Sequence, residues 1–436
     1  VQASSVASES RFFRDSSAMA RLLALLAALG RGAIACVARA PARAEARDVS
    51  ELHPGHVSVV MAMGDSISAG FLAEGLLEES RAVAFSGGEG VAKAHLTLPH
   101  HLRRYNASLT GASHGLPHVL EIPANSDLFG ANYGGYHFPQ QDQLNGALSF
   151  AWSDHLLEEL EYLKARSAGI PDFDQRWKVL TILIGANDLS LRDACESELA
   201  SDYLALRVSQ NVDLALRAVL QAFDRIYVNL VGMIQLSSVA RLIRDTPLRC
   251  LGNTPLAHSE VYCVTGVTDH QLSLLAHTES ALNTRLQALA AKYNRYTPQH
   301  AVVYHDFLAQ NAIPSAAWLS RSDCIHPTAL AHNASATLLW NSMLSENRSS
   351  LVLEPYPVPM CPSPTAAFFS GHAPATGHIQ RLTQIVDGAE RWRPSSRDAA
   401  ASVTVTAAAL VSLVAAAVAI VRKHRALCLG ADSDVE

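Results

Sequence analysis

Gly64-Asp65-Ser66 closes the apolar run Val57–Met63, and Asp323-Cys324-Ile325-His326 stands far downstream. A serine hydroxyl is a poor nucleophile until a neighbouring base takes its proton. His326 is the candidate base, and Asp323 the group that orients it. Asp323 and His326 lie three apart, so one helical turn would put them on one face, with Pro327 at the first helical position. Between the two segments, Gly185-Ala186-Asn187-Asp188 closes a second apolar run. The side-chain NH2 of Asn187 can hold an oxyanion, and losing one such donor typically costs about 3–4 kcal/mol in the transition state. The chemistry these residues share is attack of a serine on an ester carbonyl. Each segment alone has a plainer alternative. Gly-Asp-Ser can cap a helix, Asn-Asp is common turn chemistry, and with 19 histidines in the chain most are inert. Their order and their common place at strand ends give the set its weight.

The elements that must position them follow from hydropathy. Val57–Met63, Val179–Ile184, Ile226–Val231 and Val302–Tyr304 are nearly all apolar, the pattern of parallel strands buried on both faces. Helical patterns alternate with them over Trp152–Lys164, Asp202–Phe223, His270–Tyr293 and Pro327–Met343. This alternation predicts an α/β fold, a three-layer α/β/α sandwich around a central parallel sheet. In open parallel sheets active sites form beyond the carboxyl ends of the strands. Ser66, Asn187 and His326 are all expected there. Most of Ala82–Asp142 is a loop-rich excursion, expected to be a lid or a substrate surface.

The ends of the chain have a different character. Met19-Ala20-Arg21 and the apolar Leu22–Gly30 resemble a signal peptide, with small residues at Ala42, Ala44 and Ala46 for cleavage. Ala399–Val421 holds neither charge nor proline and is long enough to cross a ~30 Å hydrocarbon core as a helix. Arg422-Lys423-His424-Arg425 follows directly, which by the positive-inside rule faces the cytosol. The expected organisation is therefore a leader over 1–46, a catalytic domain over 47–365, a stalk over 366–398, a transmembrane helix over 399–421 and a cytoplasmic tail over 422–436. That is a type I single-pass protein of the cell surface or secretory pathway, with its catalytic domain extracellular or lumenal. The net charge of −6 carries no basic stripe, so nucleic acid is not an expected partner.

Of the seven cysteines, Cys36 falls in the expected leader and Cys428 in the expected cytoplasmic tail, so five remain outside. Cys250 and Cys263 bracket a short Pro/Asn-rich loop and are a candidate disulfide. Cys324 with Cys361 is a second candidate, which leaves Cys195 as the odd thiol. No pair has zinc-ligand spacing, and no metal or organic cofactor is expected. Asn106, Asn333 and Asn347 begin triplets of the glycosylation form.

With these residues in place, the chain resembles the SGNH (GDSL) hydrolases, a Ser/Gly/Asn/His esterase family, and their phospholipase B-like branch in particular. Beyond the catalytic segments, Ser86-Gly87-Gly88-Glu89, Thr97-Leu98-Pro99, Leu102–Asn106, Leu144–Ala147 and Leu339–Met343 are similar to segments typical of that branch. The resemblance covers roughly 57–362. It implies Ser66 as nucleophile, His326 as base, Asp323 as its orienter and Asn187 as an oxyanion donor, with the backbone N–H of Ser66 as another. It also implies a further backbone donor at a family glycine, where this chain carries Phe150, or Gly146 if the register slips. A side chain at Phe150 is expected to crowd the site and to oppose a positive φ. The resemblance implies a membrane-tethered serine esterase acting on phospholipid or lysophospholipid acyl esters. Two alternatives are an esterase for another substrate, such as acetylated carbohydrate, and a surface glycoprotein that kept the fold but lost activity.

Overall fold

A computed structural model describes residues 41, 44–75, 78–90, 95–117, 136–190, 192–245, 263–264, 267–294, 297–345, 351–365 and 367–368. Four parallel strands form its sheet in the order β1 (Val57–Gly64), β2 (Trp177–Leu183), β3 (Ile226–Val231) and β4 (His300–His305). Every residue of β2 and β3 is buried, and Ser58 alone breaks the pattern in β1. Each fully buried aliphatic side chain contributes about 1.5–3 kcal/mol, so these runs are driven into the core between helices. The parallel expectation holds for all three strand pairings.

The helices that matter here are α1 (Ser66–Ala69), α2 (Leu98–Arg103), α3 (Leu156–Ser167), α4 (Ala186–Ser190), α5 (Glu198–Ala222), α6 (Leu236–Asp245), α7 (Asp269–Tyr293) and α8 (Ala329–Leu344). Right-handed crossovers between neighbouring parallel strands carry the intervening helices α3, α5 and α7 to one face. In agreement, α5 packs against both α3 and α7. α8 packs against β4 and α2. On that side Trp340 stacks on His101 and Tyr105, and Phe368 lies against Trp340 and Tyr227.

Residues 144–148 run beside β1 as a short parallel extension. Ala62 N–H donates to the Leu144 carbonyl at 3.1 Å, Gly146 N–H to Ala62 at 2.8 Å, and Leu148 N–H to Gly64 at 3.0 Å. This pairing delivers Phe150 to the carboxyl end of β1, the end from which Ser66 follows.

Some expectations are corrected. Asp323 and His326 are not on a helix: α8 begins later, at Ala329, with Thr328 as its N-cap. Pro327 instead bridges to Leu319. Cys195 is not an odd thiol, because it is disulfide-bonded to Cys263 across 68 residues. The fold brings them together: Cys263 N–H donates to the Ser190 carbonyl at the end of α4, and Cys195 ends the turn that follows. Cys250, the expected partner of Cys263, lies outside the described residues. Cys324 and Cys361 are each disulfide-bonded. Asn333 is buried within α8, so its triplet does not present a glycan acceptor. Residues 351–365 lie along the body, where Trp340 Nε1 donates to the Met360 carbonyl at 2.8 Å and Asn341 Nδ2 to Val358 at 2.9 Å. Phe368, assigned to the stalk by sequence, is 1 % exposed. The leader segment 19–30 and the apolar segment 399–421 fall outside the described residues, as does Asn347. No helix among the described residues is long and apolar enough to cross a membrane.

Candidate active site

β1 ends in Gly64 with φ +143°, and a Cβ there would stand 2.0 Å from the Leu183 carbonyl oxygen. Only glycine allows β1 and β2 to approach so closely at the turn. Asp65 then caps α1, its Oδ1 accepting from Ile67 N–H at 3.0 Å. Its Oδ2 accepts from Ala186 N–H at 3.3 Å, tying the end of β1 to the start of α4. Ser66 opens α1 and points its Oγ at His326 Nε2, 2.7 Å away. His326 Nδ1 bonds Asp323 Oδ2 on its other side. Asp323 is fixed in turn: its Oδ1 accepts from Ile325 N–H at 3.0 Å and His326 N–H at 3.1 Å, a turn that puts Cys324 at φ 61°. The tight local turn thus does what a helical face was expected to do.

Asn187 sits in α4 and its Nδ2 donates to the Ala151 carbonyl at 2.8 Å. Asp188 accepts from Ser153 N–H and Ser153 Oγ, each at 3.0 Å, anchoring the chain just after Phe150. Phe150 adopts φ 69°, so the side chain does not prevent the left-handed conformation. Its ring meets Phe71 edge-on at 5.6 Å, and Phe71 meets the imidazole of His326 edge-on at 5.1 Å. The sequence-predicted residues Ser66, Asn187, Asp323, His326 and Phe150 therefore share one end of the sheet.

The electrostatics follow from burial and contact. Burial opposes a charged His326, but the charge and hydrogen bond of Asp323, aided by Asp65, outweigh it and leave the imidazole pKa raised. Burial likewise opposes ionisation of Asp323. The His326 charge and hydrogen bond, with the two backbone N–H donors, prevail and hold that carboxyl below its ordinary value. An ionised Asp323 beside a basic imidazole is the arrangement that prepares His326 to accept a proton. Asp65 and Asp188 are both raised to about 6, chiefly by burial.

Several supporting residues were not found from sequence. Glu159 is fully buried beneath the turn, where it accepts from Gly64 N–H at 2.7 Å, and burial raises its pKa well above the ordinary value. Its signal was present, because it falls on the buried stripe of α3 with Leu156, Leu160 and Leu163. Glu79 accepts from Ser149 Oγ at 2.5 Å and pairs with the fully buried Arg81 at 2.6 Å. Arg81 also reaches Asp142 at 3.2 Å and donates to the Ala147 carbonyl at 3.0 Å. This network grips the segment before Phe150, and no local pattern marks it. Among the described residues, no group of three or more His, Cys, Asp or Glu side chains could hold a metal ion.

A family profile described as GDSL-like Lipase/Acylhydrolase matches residues 60–339. Mouse "Phospholipase B1, membrane-associated" is 30% identical over 72% of this chain and 21% of its own length. The human protein of that name is 26% identical over 71% of this chain and 21% of its own, and the rat protein 25% over 77% and 23%. The chain thus spans about a fifth of the length of these curated relatives.

Proposed function

The chain belongs to the GDSL-like lipase/acylhydrolase family and at that level is a carboxylic ester hydrolase; from this premise we propose that Ser66 is the nucleophile of a serine esterase that cleaves acyl esters of phospholipids or lysophospholipids. One observation carries the assignment: Ser66 Oγ lies 2.7 Å from His326 Nε2, whose other nitrogen is held by Asp323.

Ser66 Oγ attacks the ester carbonyl carbon while His326 Nε2 takes the hydroxyl proton. The carbonyl oxygen becomes an oxyanion. An amide nitrogen carries two N–H groups, and with one of Asn187's on Ala151 the other is assigned to the oxyanion. The backbone N–H groups of Ser66 and Phe150 are assigned beside it, as preorganised donors. Collapse expels the alcohol, which takes its proton from His326. Water, deprotonated by His326, then attacks the acyl-serine ester, and the released carboxylic acid leaves Ser66 with its proton restored. None of these steps calls on a cofactor.

Two observations support a lipid ester as substrate. The relatives are named as phospholipases B, and the apolar segment Ala399–Val421 would hold the domain beside a membrane. On this proposal the segment spans the bilayer with the catalytic domain outside the cytosol. The test is labelling of the full chain with a fluorophosphonate, together with turnover of phospholipid and short acyl esters by wild type and Ser66→Ala. Labelling that needs Ser66, with turnover lost in Ser66→Ala, is the expected result. Equal turnover by both proteins would refute it.

A further inference from the structure

Phe150 holds a backbone conformation that glycine adopts freely and phenylalanine rarely, at φ 69°. It is held there from both sides. Before it, Ser149 Oγ is bound to Glu79 at 2.5 Å and Leu148 N–H to Gly64 at 3.0 Å. After it, the Ala151 carbonyl is bound by Asn187 at 2.8 Å and Ser153 by Asp188. With the backbone fixed, the direction of the Cα–Cβ bond is fixed as well. The ring is partly exposed and braced by Phe71, which is 5 % exposed. Phe71 touches both Phe150 and His326 edge-on, at 5.6 and 5.1 Å, so the two phenyl groups form one wall reaching to the base.

We propose that Phe150, backed by Phe71, is a specificity-determining residue that selects straight-chain acyl groups over acyl groups branched next to the carbonyl. The proposal rests on the serine-esterase assignment of the same site. A glycine at this position would leave the space beside the reacting carbonyl open. A benzyl group on a clamped backbone fills part of it, and the edge contact with Phe71 holds the ring there. A straight chain presents only slender CH2 groups to this wall. A methyl branch on the carbon next to the carbonyl projects sideways, into the volume the ring occupies. Steric exclusion of this kind discriminates in proportion to how little the wall yields.

The experiment compares p-nitrophenyl butyrate with p-nitrophenyl isobutyrate, isomers of the same carbon number, on the full chain. The readout is the ratio of their kcat/KM values. Phe150→Gly suits the observed φ and Phe150→Ala retains a Cβ, so two variants of opposite backbone character share the loss of the ring. A wall removed from an apolar site is worth about tenfold in discrimination. Both variants are therefore expected to lower the butyrate-to-isobutyrate ratio about tenfold relative to wild type, through gain on the branched ester. Intrinsic reactivity of the two esters cancels in that comparison. A ratio unchanged in both variants, with both esters slowed or quickened alike, would overturn the proposal. Failure of the underlying assignment looks different: wild type would not be labelled by a fluorophosphonate at Ser66.

Discussion

The side-chain amide of Asn187 donates to the carbonyl of Ala151 at 2.8 Å, so one of the assigned oxyanion donors braces the segment that carries another. Asn187→Ala removes a donor and also releases the residue after Phe150. A fall in kcat of about a hundred- to a thousandfold is expected, with KM little changed, since such donors act chiefly in the transition state. Steady-state kinetics on a soluble ester measures this. A rise in KM at unchanged kcat would contradict the assignment.

Asp323 sets the state of His326. The imidazole must be neutral to accept the Ser66 proton, and its pKa is raised, chiefly by Asp323 acting against burial. Activity should therefore fall as pH drops through a value above the ordinary histidine one of 6.5. In Asp323→Asn the charge is gone, so the acid limb of kcat/KM should move to lower pH. The rate itself should drop about a thousand- to ten-thousandfold, because the imidazole is no longer held in its working tautomer. A pH–rate profile of both proteins decides, and an unmoved acid limb would count against the role given to Asp323.

Glu279 gives a stability prediction away from the site. Its carboxyl is buried between α7 and α6, where Ser237 N–H and Oγ donate to it at 2.6 and 2.7 Å. Burial outweighs these donors and raises its pKa from 4.5 to about 7. The folded state therefore holds a proton that the unfolded chain releases above pH 4.5. Stability is fully present below that value and is lost as pH rises towards about 7. The loss is on the order of 3 kcal/mol, at about 1.4 kcal/mol per unit. Glu279→Gln cannot ionise and should flatten this dependence. Urea unfolding at pH 5 and pH 8 tests it, and an equal slope in both proteins would remove Glu279 as the cause.

The Cys195–Cys263 disulfide closes a loop of 68 residues in sequence separation. Constraining a loop of that length stabilises the fold by about 2–4 kcal/mol. Replacing both cysteines with serine should lower the unfolding free energy by about that amount, while ester turnover stays within about twofold because the tie from Cys263 to α4 is a backbone N–H bond that serine keeps. Denaturant titration alongside a rate assay would show this. Peptide mapping of the oxidised chain should recover Cys195 joined to Cys263.

The sequence by itself determined the architecture and the local pieces of the site. Apolar runs of strand length alternating with helical patterns bury their surfaces as parallel strands covered by helices, and the four strands and the long helices α3, α5, α7 and α8 formed within a few residues of their expected places. Ser66 at the end of β1 and the Asp323–His326 pair were legible because their geometry depends on near neighbours: a glycine turn in one case, three residues of chain in the other. What depends on contacts between distant segments was left to the tertiary structure. Ser66 meets His326 across 260 residues. Cys195 was assigned to Cys263 by the packing of α4 and its following turn, against the shorter spacing that favoured Cys250. The buried Arg81–Glu79–Ser149 chain and the burial of Phe368 leave no local trace. Phe150 shows the difference most sharply. Its own conformational preference opposes a positive φ, and anchors from Gly64, Glu79, Asn187 and Asp188 together impose one. A local preference worth about 1–2 kcal/mol yields when several buried hydrogen bonds converge on the segment.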